Sequence, residues 1–102
     1  MTAKISERTK IRRSSGNVYR DLGFGEQEAQ NLLLRSELAL CIEDFVKRSG
    51  FTQAAAAKKL HLTQPRLNAL LKGRIDLFSL DALVNIATCA GLRVELKIKR
   101  AA

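Results

Sequence analysis

The chain has 102 residues, room for one domain, and 46% of them are hydrophobic while only 5% are aromatic and none is Trp, a balance that suits a compact helical domain. Lys and Arg number 18 against 10 Asp and Glu, a formal net charge of +8, which points to a polyanionic partner. No apolar run reaches the roughly 18 residues of a membrane span, the basic N-terminus lacks the apolar stretch of a signal peptide, and Cys41 and Cys89 make neither a disulfide framework nor a zinc cluster. The expectation is a cytoplasmic protein with reduced, buried thiols, no cofactor, no metal and no membrane partner.

Residues 1–16 read as a basic flexible arm, with Lys4, Arg8, Lys10, Arg12 and Arg13 against Glu7 alone and too little apolar surface to offset the entropy of ordering. Gly16-Asn17 opens an irregular, turn-rich segment that ends at Leu22-Gly23-Phe24-Gly25. Glu26 and Glu28 fit the first turn of a helix, where carboxylates meet the positive end of the dipole. Leu34, Leu38, Cys41, Ile42 and Phe45 recur at i, i+4, i+7, i+8 and i+11, the pattern of an amphipathic helix. That helix either starts at Glu26 or is broken near Ser36, and the pattern allows both. Lys47 and Arg48 suit its last turn and Gly50 its stop.

Thr52 is an N-cap for a short helix over about residues 53–60, whose alanines at 54–57 let another helix cross closely. After His61-Leu62, Thr63 caps a second helix over about 64–72, closed by Gly73. Beyond the loop 74–78, Ser79 caps a helix with Leu80, Leu83, Val84 and Ala87 at i, i+3, i+4 and i+7, closed by Gly91. Residues 92–99 alternate with the period of a half-buried strand, with Val94, Leu96 and Ile98 on one face and Arg93, Glu95 and Lys97 on the other. A lone strand leaves its backbone groups unpaired. A second copy across a two-fold axis would supply the partner and make Val94, Leu96 and Ile98 a dimer interface; the alternatives are pairing with the chain's own Val18-Tyr19 region, or fraying. The domain plan is thus an arm 1–16, a helical domain 17–91, and a C-terminal strand and tail 92–102.

The stretch HLTQPRLNALLKG, residues 61–73, carries the most chemistry. On a wheel of 100° per residue, Leu67, Leu70 and Leu71 share one side, while Pro65, Asn68, Ala69 and Lys72 point the other way with Gln64 and Arg66 at the flanks. Proline is harmless in a first turn, whose amides have no partner within the helix. An idle surface helix mixes Glu with Lys in i, i+4 pairs, and this one has no acid. From Phe45 to Ile75 there are seven basic residues, Lys47, Arg48, Lys58, Lys59, Arg66, Lys72 and Arg74, and no Asp or Glu, as befits a surface that meets phosphates. Two short helices joined by a three- to four-residue turn, the second capped and presenting Gln, Arg, Asn and Lys, describe a helix-turn-helix. Gln64 and Asn68 can bond an adenine edge twice, Arg66 can do the same to guanine, and Ala69 leaves room for a thymine methyl. Gln53 is placed to bond a phosphate or to brace Gln64. Catalysis is not expected: His61 is the one histidine, no nucleophile has a base beside it, and Gly23-Phe24-Gly25 lacks the third glycine of a dinucleotide fingerprint. RNA binding is disfavoured by the shortage of aromatic side chains for stacking.

The segments DLGF, FTQAAAAKKLHLTQPRLNALLKG and FSLDALVNIATCAGLRVELKI resemble the Xre (Cro/cI-type) helix-turn-helix proteins, and most of all their short HigA-like antitoxin branch, over about residues 17–97. The resemblance implies a mainly α, lambda-repressor-like bundle of about five helices with a C-terminal dimerisation strand. It implies a homodimeric, nucleoid-associated repressor of its own operon, acting on a palindromic double-stranded DNA operator, and an antitoxin against a small ribonuclease toxin. Gln53, Gln64, Pro65, Arg66, Asn68 and Ala69 fall at the DNA-reading positions, with Thr52, Thr63 and Lys72 at or near the phosphate backbone. Two other outcomes remain open: an interaction module that mainly sequesters the toxin, and a stand-alone phage-type regulator without one. One position departs from the family pattern, since His61 stands where the turn usually has glycine. Histidine tolerates a left-handed backbone better than most residues.

Overall fold

The computed structural model describes residues 17–100, and the arm expected over 1–16 lies outside them. Five α-helices follow in order: α1 Val18–Asp21, α2 Glu26–Ser49, α3 Gln53–Lys59, α4 Gln64–Leu71 and α5 Leu80–Cys89, with a 3-10 turn Ile75–Leu77 before the last. The first was not expected, because one turn is too short to show a period. It forms because of Asn17. Its Oδ1 accepts from the Tyr19 amide at 2.9 Å, capping α1, while its Nδ2 donates to the Ala29 carbonyl of α2 at 2.8 Å from a buried position. Both ends of the buried amide are thereby satisfied, as burial demands.

The long helix α2 runs unbroken, which decides the question at Ser36. The Ser36 hydroxyl donates to the Leu33 carbonyl at 2.8 Å, so the polar group is absorbed inside the helix without opening it. Gly50 ends α2 at φ 76°. Leu38 and Ile42 of α2, Leu60 after α3, Phe78 in the loop before α5 and Leu83 of α5 form the core with the leucines of α4. Ala56 and Ala57 are buried on the inner side of α3, where small side chains admit close approach of neighbouring backbone. Cys41 is buried and Cys89 half-buried, and the two form no disulfide. No helix is long and apolar enough to cross a membrane among the described residues.

The C-terminal segment corrects the expectation. No strand occurs among the described residues, and 92–100 take no regular secondary structure. Leu92 and Val94 pack against the core, but Leu96 and Ile98 are 75% and 87% exposed. Glu95, assigned to the solvent face by the alternation, is only 19% exposed in its side chain and pairs with Arg93 at 3.0 Å. Alternation expresses a preference that matters only once a ladder exists. The intrachain partner considered for it, Val18-Tyr19, is taken up in α1. The expected C-terminal dimerisation strand is therefore not supported by the described residues.

Helices α3 and α4 are joined through His61, whose φ is 61°. The His61 amide donates to the Lys58 carbonyl at 3.2 Å and the Leu62 amide to the Ala57 carbonyl at 2.8 Å, the paired bonds of a Schellman ending. The same two bonds end α4 at Gly73, where φ is 80°. A side chain in this conformation costs roughly 1–2 kcal/mol, against roughly 0.5–1 kcal/mol of extra chain entropy for glycine. His61→Gly is therefore expected to stabilise the fold by roughly 0.5–1 kcal/mol, read as a higher urea midpoint at unchanged slope. A lower midpoint would show that the imidazole makes contacts that outweigh the backbone strain.

Candidate nucleic-acid interface

Helix α4 is oriented by two leucines. Leu67 is fully buried and Leu70 1% exposed, and burying each is worth about 1.5–3 kcal/mol. With that seam turned inward, Gln64, Pro65, Arg66, Asn68 and Lys72 are exposed, and Ala69 is half-buried against the core edge. Pro65 stands in the first turn, where the missing amide proton breaks no helical bond. The Thr63 hydroxyl accepts from the Arg66 amide at 3.2 Å, and Thr52 does the same for Ala55 at 3.1 Å. Each threonine uses its oxygen as acceptor and keeps its O–H proton for an outside oxygen. Thr52, Gln53 and Thr63 are all exposed. Gln53, Gln64 and Asn68 make no side-chain hydrogen bond among the described residues, so their amides are available in full.

The electrostatics are sharper than the sequence implied. Of the seven cations in the acid-free window, three are paired with acids that flank it. Lys47 meets Glu43 at 3.2 Å, Arg48 meets Asp44 at 3.1 Å and Arg74 meets Asp76 at 3.5 Å. Lys58, Lys59, Arg66 and Lys72 have no ion pair among the described residues, and all four are exposed. Within the acid-free window the uncompensated charge is thus confined to α3, α4 and the C-cap of α4.

Arg66 is held in a way that periodicity does not foretell. Its guanidinium carbon lies 4.3 Å from the centroid of the Phe78 ring, and its Nη1 donates to the Leu77 carbonyl at 3.5 Å. Phe78 is 1% exposed, so one face of the ring serves the core and the other the arginine. A cation over a ring at this distance contributes about 0.5–1 kcal/mol where exposed. The loop that carries Phe78 is in turn bound by Arg35 of α2, whose Nη1 donates to the Ile75 and Phe78 carbonyls at 3.1 and 3.3 Å. Neither Phe78 nor Arg35 was singled out from the sequence. Arg35 is 40 and 43 positions from its partners, and no local spacing signals that contact.

The helix-turn-helix domain model matches residues 18–99 of the chain. A solved structure described as an XRE family transcriptional regulator is similar at a TM-score of 0.67 and 27% sequence identity, covering 72% of this chain and 82% of that one. No curated protein sequence is significantly similar.

The exposed face separates stabilising from recognising residues. Thr63→Ala is expected to cost about 1 kcal/mol of folding free energy through the lost cap, whereas Asn68→Ala stays within about 0.5 kcal/mol. Urea unfolding of both variants checks this, and a large loss for Asn68→Ala would mean that its amide serves the fold.

Proposed function

Because the chain belongs to the helix-turn-helix domain family and is a DNA-binding transcriptional regulator of XRE-like architecture, we propose that it represses transcription as a homodimer on a palindromic operator, its own promoter included. The observation that carries the reading is the outward face of α4, where Gln64, Pro65, Arg66 and Asn68 stand exposed with no acid among them. On this reading α4 enters the major groove, Gln64 and Asn68 meet adenine edges, and Ala69 lies against a thymine methyl. Arg66 addresses a guanine or the adjoining phosphate from its place over Phe78. Gln53, Thr52, Thr63 and Lys72 fix the register on the phosphate backbone, with Lys58 and Lys59 adding charge that is indifferent to sequence.

A two-fold axis would set two such helices about 34 Å apart, one turn of duplex. The apolar side chains of Leu96 and Ile98, exposed on the tail, support a second copy as their cover, with Val94 anchoring the tail to its own core. The resemblance of about residues 17–97 to HigA-like antitoxins supports the further role of neutralising a small ribonuclease toxin encoded beside it. A nucleoid-associated, cytoplasmic location goes with these roles.

Footprinting on the promoter of its own gene and titration with that duplex test the reading. Gln64→Ala or Asn68→Ala should each cost about 1–3 kcal/mol and relax preference at one base pair, while Lys58→Ala weakens all duplexes alike and lowers the salt slope by about 1. Failure to retard any duplex at low salt would end the proposal. The homodimer has its own check: Leu96→Asp with Ile98→Asp should lower the mass seen by light scattering at micromolar concentration from dimer to monomer, and an unaltered wild-type monomer would contradict it.

A further inference from the structure

Arg35 lies on α2, away from the outward face of α4, yet its fork is spent on the loop behind that face. Nη1 donates to the carbonyls of Ile75 and Phe78 at 3.1 and 3.3 Å, and Nε donates to Asn31 Oδ1 at 2.6 Å, one turn back on the same helix. One cation thus ties the start of the 3-10 turn to the residue that follows it. Phe78 is extended, with φ −129° and ψ 128°, and no strand is present among the described residues to receive its carbonyl. The same short segment is gripped from the other side. The Phe78 ring lies beneath the Arg66 guanidinium and the Leu77 carbonyl accepts from Arg66 Nη1.

We infer that Arg35 is a positioning residue for DNA recognition: by fixing residues 75–78 it sets the ring and the carbonyl that hold Arg66 in one pose on the outward face of α4. The inference rests on the reading of that face as the DNA-binding surface. An exposed arginine otherwise samples many rotamers, and ordering it at the moment of binding costs affinity. Held over Phe78, Arg66 meets the duplex with its conformation already chosen. Its contacts use one face and one Nη proton, and leave Nε–H and the Nη2 protons without a partner among the described residues. Lysine cannot replace Arg35 fully, because a single ammonium lacks the planar fork that serves the two loop carbonyls and the Asn31 amide oxygen together.

The test is a double-mutant cycle. Arg35→Gln and Arg35→Lys are made in the wild-type and Arg66→Ala backgrounds, folding is checked by circular dichroism and urea midpoint, and affinity is read by anisotropy on the promoter duplex. Arg35→Gln should weaken binding roughly fivefold in the wild-type background and less than about twofold where Arg66 is already absent, with Arg35→Lys in between. A purely structural brace would give the same loss in both backgrounds, and that result overturns the inference. Should Arg35→Gln fail to fold, Asn31→Ala removes only the Nε partner and is expected to follow the same pattern in smaller degree. A second readout needs no DNA. The Arg66 side-chain resonances carry the ring current of Phe78, and Arg35→Gln should move them toward free-arginine values while the α4 amide shifts persist. Arg66 resonances that stay in place refute the positioning role even if duplex binding is intact. Absence of wild-type binding with moved resonances would instead count against the DNA reading alone.

Discussion

The burial of Leu67 and Leu70 is the constraint on which the surface of this protein depends. A helix as short as α4 gains little from its own backbone bonds, so its orientation follows the side chains that it can place in the core. These two leucines meet Ile42, Leu60, Phe78 and Leu83 in one apolar cluster, and they leave no freedom for Gln64, Asn68 or Lys72 to turn inward. The polar face is then a consequence of packing. Rotating α4 by one residue would bury Asn68 or Arg66 without partners, at a cost that its few contacts could not offset.

The two ends of α3 and α4 convert that orientation into a rigid pair. Thr52 and Thr63 cap the starts, and the left-handed residues His61 and Gly73 close the ends with the same two hydrogen bonds. Such endings fix where the chain leaves a helix, so the path from α3 to α4 is set by local geometry. The strain tolerated at His61 fits a turn whose conformation is imposed by the helices on both sides.

Charge and packing meet at Arg66. An exposed arginine on a basic helix is ordinarily a flexible group, but here a buried phenylalanine offers it a ring and the preceding residue a carbonyl. The acid-free window by itself overstates the field, because Glu43, Asp44 and Asp76 reach in from its borders to neutralise Lys47, Arg48 and Arg74. What is left is a smaller patch centred on α3 and α4. Concentrating charge there favours encounter with a polyanion at that face rather than at the end of α2.

Local rules sufficed wherever the deciding atoms lie within a turn of each other. The caps at Thr52, Thr63 and Ser79, the stops at Gly50, Gly73 and Gly91, and the inward side of α4 are all set by spacings of three or four residues, and the sequence carries them openly. The motif that places the candidate site was legible for the same reason. Long-range pairing decided the rest. Asn17 anchors the start of α1 by reaching Ala29, Arg35 reaches the loop after α4, and Phe78 turns one ring face to Arg66, none of which has a period to betray it. The tail shows the opposite failure, since the alternation of residues 92–99 is a local signal whose meaning depends on a partner strand. The sequence by itself determined which residues cap, stop and face inward, because those preferences act through the neighbouring turn. Only the tertiary structure decided which cations stay unpaired, how Arg66 is held and whether the tail becomes a strand, because each depends on groups that the chain brings together from far apart.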